Sequence, residues 1–218
     1  MRTALQEELH RLEQVVLAAG SEAIEAVEAT VAALRLGSTE RAGAVFVSSV
    51  RIETLGAEAE RDVAQLLALQ APVAGDLRHA LALLYCNLHI QSIADYAVTV
   101  ARLVGVPSGS AAGSTGWQAE RYAGAEVVAQ VVAQALQALV TREPGDIDRV
   151  LASAASVDAF ARSIQEDSGD GAVAEGELAV QLAMVARSFQ RIARHAIDIA
   201  EQARYLATGE FCRLAAVS

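Results

Sequence analysis

Two eleven-residue stretches decide the fold: QSIADYAVTVA at Gln91–Ala101 and QRIARHAIDIA at Gln190–Ala200. A Gln, an Ile and three Ala residues recur in them at a constant offset. Ala is the strongest helix former, and the alternation of apolar and polar residues that is typical of strands is scarce in the chain. Each stretch lies on the third predicted helix of its half of the sequence. The pattern therefore indicates an all-α fold built by internal duplication.

Helix breakers divide the rest of the chain into long segments. The three prolines lie at 72, 107 and 144, where the helical periodicity stops. The predicted helices run over about 3–36, 38–69, 75–104, 117–140 and 146–167, with a sixth from the loop at 168–171 to about 207. A helix of about 30 residues spans about 45 Å. Helices of this length joined by short turns build antiparallel bundles, here three helices in each half.

The predicted boundaries follow from a shift in composition at mid-chain. Residues 1–106 form the first three-helix repeat, and the Ser/Gly/Ala-rich residues 107–116 form a linker. Residues 117–210 form the second repeat, and residues 211–218 form a tail.

Charge and composition exclude several classes of protein. All 17 Lys or Arg positions are Arg, against 27 acidic residues, for a net charge of −10. An acidic chain with no basic run is a poor nucleic-acid binder, and a chain without Lys has no Schiff-base or phosphate-loop lysine. No signal-peptide core begins the sequence, and no apolar run reaches the roughly 18 residues of a membrane-spanning helix. Two distant cysteines suit a reducing compartment. We expect a cytoplasmic protein without membrane insertion.

One segment and the end of the last helix carry a resemblance to a known family. The segment LLALQAPVAGDLR at Leu66–Arg78 resembles the signature of the PhoU family, especially its actinobacterial PhoY branch. Residues Gln190–Glu201 and Tyr205–Glu210 resemble the last helix of the same family. The resemblance extends over nearly the whole chain in the right order. It implies two tandem antiparallel three-helix bundles.

The resemblance also implies a regulatory, non-enzymatic role. PhoU proteins restrain phosphate uptake and the phosphate-starvation response. They act beside the ATPase of the phosphate-specific transporter and a sensor histidine kinase, and they are expected to form homodimers. The expected function is therefore that of an adaptor and negative regulator, and no cofactor is expected.

The family places an acidic E(D)xxxD motif, which can hold metal ions, on the third helix of each repeat. In the first repeat only Asp95 keeps its carboxylate, because Gln91 stands at the other acidic position. In the second repeat both acids are lost, and the guanidinium of Arg194 would repel a metal ion. No metal is therefore expected in the second repeat, and a divalent or iron metal could bind in the first repeat only, with Glu53, Glu60 and Asp95 as its ligands.

Other interpretations of these residues stay open. Glu53, Glu60 and Asp95 could instead form salt bridges or hydrogen bonds on a bundle face. Arg194 and Asp198, four residues apart on a helix, are expected to form an ion pair. A metal-binding helical bundle of divergent function is the alternative to the adaptor.

The corner after Pro72 and one histidine have two interpretations each. Asp76 could cap the following helix, or Asp76 and Arg78 could contact a partner protein. His195 could be a metal ligand, but a hydrogen-bonded histidine within the bundle is the expected role.

Overall fold

The structure, a computed structural model, describes residues 2–104, 122–166, 176–211 and 213–214. Within these ranges the chain forms six α-helices and no strand. The helices are α1 (Arg2–Leu36), α2 (Thr39–Gln70), α3 (Ala74–Leu103), α4 (Glu126–Thr141), α5 (Pro144–Glu166) and α6 (Gly176–Thr208). The predicted linker at 107–116 lies outside the described residues, as do 212 and 215–218 of the predicted tail. None of the helices in the described ranges is both long and apolar enough to cross a membrane.

Local chemistry explains where the helices of the first repeat begin and end. Gly37 ends α1 in a left-handed conformation, with φ 60°, which glycine adopts without steric cost. Ser38 caps α2, because its hydroxyl accepts a hydrogen bond from the backbone N–H of Arg41 at 3.2 Å. Pro72 lies in the corner between α2 and α3, where it cannot break a helical hydrogen bond.

Two predictions about the second repeat were wrong. The fourth helix begins at Glu126 rather than near 117, because Gly124 has φ 92° and the residues from Tyr122 form a tight turn. Asp146 is not an N-cap, since α5 already begins at Pro144. The Asp146 carboxylate instead accepts hydrogen bonds from the Thr141 hydroxyl and from Arg149.

The six helices form two three-helix bundles, α1–α3 and α4–α6, as the sequence predicted. Equivalent helices of the two repeats meet, because α3 packs on α6 and α1 packs on α4. Buried apolar side chains form one large core that includes residues of all six helices. The two repeats therefore share a core, since each covers apolar surface of the other.

A glycine allows the close approach of α1 and α4. A Cβ added at Gly20 would lie 2.5 Å from Cδ1 of Leu136, well inside van der Waals contact. Gly43 of α2 offers a comparison, because a Cβ there would meet no atom within 4 Å. A side chain at Gly20 would thus force Leu136 to move at the contact between the repeats.

We predict that substitutions at these two glycines have opposite effects on stability. Gly43→Ala should raise the free energy of unfolding by about 0.5–1 kcal/mol, because alanine is the better helix former. Gly20→Val should lower it by about 1–3 kcal/mol, since Leu136 must move away from the added methyl groups. Urea denaturation of both variants and of Gly43→Val measures the difference. Equal stability of Gly20→Val and Gly43→Val would contradict this packing.

Candidate functional site

The three predicted metal ligands lie on the outer surface of the first repeat. Glu53 and Glu60 of α2 and Asp95 of α3 are all exposed. Gln91 donates a hydrogen bond from Nε2 to Oε1 of Glu60 at 3.3 Å, so one of these carboxylates already has a partner. The oxygens of the three carboxylates do not all lie within 4.8 Å of one another. Metal binding by this set stays a prediction.

Asp76 and Arg78 join three helices. Asp76 does not cap α3, whose N-cap position is Val73, and its Oδ1 accepts a hydrogen bond from Nε2 of Gln6 on α1 at 2.9 Å. The guanidinium carbon of Arg78 lies 5.7 Å from the centroid of the Tyr205 ring on α6, within the range of a cation–π contact. Both side chains are half-buried. These contacts give both residues a structural role, and a contact with a partner protein stays a prediction.

The strongest concentration of polar groups between the repeats lies where α3 packs on α6. We call it the seam cluster, and it consists of His89, Arg194, His195, Asp198 and Glu201. Nδ1 of His89 lies 3.1 Å from Nδ1 of His195, so one imidazole donates and the other accepts. The accepting ring must be neutral, because a protonated imidazole has no free lone pair. The expectation that His195 is a hydrogen-bonded bundle histidine is therefore confirmed.

Burial keeps both imidazoles of the seam cluster neutral. The pKa of His195 is lowered to about 4, mainly by desolvation and also by the charges of His89, Arg191 and Arg194, against the attraction of Asp198. Desolvation also lowers the pKa of His89, with Asp198 and Arg194 acting in opposite directions. Two neutral rings are favoured at this partly buried contact, because burying an uncompensated charge is costly.

The two acidic residues of the seam cluster contact Arg194, and one of them also binds the segment after α6. Oδ1 of Asp198 lies 2.8 Å from Nη2 of Arg194, which confirms the predicted ion pair. Glu201 is 4% exposed, lies 3.5 Å from the same guanidinium, and accepts a hydrogen bond from the backbone N–H of Leu214 at 2.9 Å. Burial raises the pKa of Glu201. The segment after α6 thus folds back onto the helix through a carboxylate.

Three atoms of the seam cluster have the spacing of metal ligands. Oδ2 of Asp198 lies 3.8 Å from Nδ1 of His89 and 3.7 Å from Nδ1 of His195. In the described part of the chain this is the single group of three such residues with ligand atoms within 4.8 Å. The guanidinium of Arg194 neutralises the same carboxylate and would repel a cation. The arrangement therefore favours a neutral hydrogen-bonded cluster over a metal site.

The seam cluster opens into a cavity of about 720 Å³. Its walls combine α3, through Leu81 and Tyr85, with the second half of α6 and with Phe211. The Phe211 ring packs edge-on against that of Tyr205, with centroids 5.9 Å apart. The cavity has the size of a small-molecule or peptide side-chain site, and its lining combines apolar side chains with the polar groups of the seam cluster.

The sequence did not indicate the partner of His195, which precedes it by 106 residues. The internal duplication could have indicated this contact, since the third helices of two equivalent bundles that share a core can pack against each other. A second contact between the repeats was also missed. Nη2 of Arg142, at the end of α4, lies 3.1 Å from Oε1 of Glu13 on α1 and 3.3 Å from Nε2 of His79 on α3. The hydrogen bond from His79 and the charge of Arg142 lower the pKa of Glu13.

We predict that His195 makes stability fall in acid. The folded pKa of His195, about 4, lies below the unfolded value of about 6.5, so the unfolded chain binds more protons between these values. Stability is therefore complete above about pH 6.5 and declines as the pH falls toward 4. Relative to His195→Gln, the wild type should lose about 1–2 kcal/mol between pH 7 and 4.5, a value discounted for partial exposure of the ring. Urea unfolding at several pH values measures this difference. The exposed His10 of α1 provides the control variant His10→Gln, and an equal pH dependence of wild type and His195→Gln would contradict the assignment.

Comparisons with known proteins agree with this architecture. The family described as the PhoU domain matches residues 16–104 and 124–203, which are the cores of the two repeats. The phosphate-specific transport system accessory protein PhoU homolog of Zymomonas mobilis is 27% identical over 215 residues, covering 95% of this chain and 88% of that protein. A PhoU homolog 2 of the same description from Mycobacterium tuberculosis is 28% identical over 219 residues, covering 97% of this chain and 100% of that protein.

Two crystal structures share the fold. PhoU from Streptococcus pneumoniae superimposes with a TM-score of 0.81 at 20% identity, covering 96% of this chain and 100% of that one. PhoU from Pseudomonas aeruginosa gives the same TM-score at 23% identity, covering 94% and 99%. Since the family matches both repeats and most of the sequence, the chain belongs to the PhoU family.

Proposed function

We propose that this chain is a regulatory adaptor of phosphate transport and a negative regulator of the phosphate-starvation response. The observation that carries the proposal is the match of both repeats to the PhoU domain. Relatives described as phosphate-specific transport system accessory proteins align with almost the whole chain. A regulatory role in phosphate transport follows from this relationship.

The proposed mechanism is binding without catalysis in the cytoplasm. The protein would bind the ATPase of the phosphate transporter and a sensor histidine kinase, and it would favour one state of each partner. A ligand shifts such an equilibrium only by its difference in affinity for the two states. A rigid pair of bundles with a shared core suits this role, because a rigid surface can select one conformation of a partner.

The proposal includes a homodimer. Phe46, Val47 and Val50 of α2 are exposed apolar side chains on neighbouring turns, with 39%, 56% and 61% of their surface accessible. Clusters of this kind on a helix surface mark interaction sites more often than isolated apolar residues do. Sedimentation velocity of the wild type and of Val47→Glu would show whether this surface carries the dimer.

We predict that the tagged protein co-purifies with the transporter ATPase or the sensor kinase from phosphate-replete cells. The corner between α2 and α3 is the candidate contact, so Asp76→Asn should reduce recovery of the partner several-fold. Asparagine keeps an oxygen that can accept the hydrogen bond from Gln6, so this variant removes charge and preserves packing. Quantitative mass spectrometry of the bound proteins measures the effect.

The control for this experiment is Gln6→Ala. It removes the intramolecular hydrogen bond and leaves the Asp76 carboxylate in place. If the two variants reduce recovery equally, Asp76 acts only within the chain. If the wild type recovers neither partner, with or without phosphate in the medium, the result would contradict the proposed adaptor function.

The alternative is a metal-binding helical bundle, and one observation favours it. His89, His195 and Asp198 have ligand spacing across the seam. The ion pair of Arg194 with Asp198 counts against it. Metal analysis of purified protein separates the two, because stoichiometric metal that is lost in His195→Gln would favour the alternative.

A further inference from the structure

A groove between α5 and α6 of the second repeat concentrates positive charge in an acidic protein. Three arginines of α6 line it, namely Arg187, Arg191 and Arg194. Gln190 of α6 and Asp158 of α5 complete its polar lining, and the enclosed volume is about 270 Å³. We call this the arginine groove. It lies on the second repeat, beside the seam cluster, and shares Arg191 and Arg194 with the cavity at the seam.

The three arginines face the same way because of their spacing. Positions i, i+4 and i+7 fall on one face of a helix, so the guanidinium groups project into one groove. Like charges at this spacing repel, which destabilises the helix. The chain has 27 acidic residues and 17 arginines, yet three of the arginines lie together in this groove.

Ion pairs within the described residues neutralise only one of these three arginines. Arg194 pairs with Asp198 at 2.8 Å and approaches Glu201 at 3.5 Å. Arg187 and Arg191 are exposed, and neither forms an ion pair with an acid in the part of the chain that the structure describes. Within the described residues, the groove therefore has two arginines without an ion pair and a third that is shared with Asp198.

Among the described lining residues, the acidic side chain is Asp158, and it already has a hydrogen-bond partner. Gln190 hydrogen-bonds the Asp158 carboxylate, and the charge of Arg162 acts on it from the same helix. Burial raises the pKa of Asp158 above its ordinary value. This carboxylate weakens the positive potential of the groove without cancelling it.

The first repeat has no counterpart of this charge. In the alignment of the two repeats, Arg187, Arg191 and Arg194 correspond to Leu88, Ser92 and Asp95. The same face of the duplicated unit is therefore apolar and acidic in one copy and basic in the other. The first repeat has the same fold without arginines at these positions, so folding does not require them. We therefore attribute the three arginines to binding of a ligand.

We propose that the arginine groove binds a small phosphate-type oxoanion. Guanidinium groups form paired hydrogen bonds with phosphate oxygens, and three on one face can surround a tetrahedral anion. Ligand sites for larger molecules measure roughly 300–1,000 Å³, so the volume here suits inorganic phosphate or pyrophosphate better than a nucleotide. This inference does not depend on the adaptor, since binding of the anion requires no partner protein.

Isothermal titration calorimetry of the full chain at low ionic strength tests the proposal. The probes are inorganic phosphate, pyrophosphate and glycerol phosphate, which separate a free ion from an ester. We expect at least one of them to bind wild type at millimolar concentration or below. Affinity should fall by roughly tenfold or more in Arg187→Gln/Arg191→Gln, because two charged hydrogen-bond donors are lost.

Two further variants keep the outcome clear. Arg41→Gln/Arg61→Gln removes the same net charge from exposed positions on α2 and should bind like the wild type. Asp158→Asn removes the repelling carboxylate and should tighten binding several-fold. The proposal is overturned if none of the probes binds, if the groove variant binds as well as the wild type, or if the control on α2 weakens binding equally. Binding with no response to Asp158→Asn would place the anion outside the groove.

Discussion

The packing of α3 on α6 is the contact on which the rest of the structure depends. Ala-rich helices have small side chains, so each three-helix bundle buries little apolar surface on its own. Joining the bundles through α3 and α6, and through α1 and α4, creates one core that includes all six helices. Close packing of this kind requires small residues at the crossings, such as Gly20 opposite Leu136. It also requires that buried polar groups at the seam find partners, which His89 and His195 do by facing each other as neutral rings.

Much of the fold could be predicted from the sequence, because helix formation and helix ends are governed by local chemistry. Gly37, Pro72 and Pro144 mark the real boundaries, and the duplicated stretches identified the two third helices correctly. The prediction that α4 begins near residue 117 was wrong, because the turn at Gly124, with its positive φ, lies within a stretch of helical composition. Contacts between the repeats were beyond local reasoning. A pair such as His89 and His195 depends on how the two bundles pack, which composition and spacing within one helix do not specify.

In the candidate site, too, contacts within one helix could be predicted and contacts between helices could not. The ion pair of Arg194 and Asp198 was predictable, because it lies within one helix. The role of Asp76 was not, since its partner Gln6 belongs to α1 and is brought close only by the bundle. The predicted ligands Glu53, Glu60 and Asp95 lie on one repeat but remain spread over its surface.

The two repeats share a fold and differ in charge, and this difference suggests how the protein works. The first repeat has Leu88, Ser92 and Asp95 at the positions where the second has the three arginines of the groove. Anion binding by the arginine groove and partner binding by the first repeat, both proposals, would thus fall on different repeats. Regulation of the phosphate response is the central claim. It is tested most directly by a phosphate-starvation reporter in phosphate-replete cells that lack this gene. The account predicts that the reporter is high in these cells and falls when the intact gene is restored, whereas a reporter that stays low without the gene would contradict it.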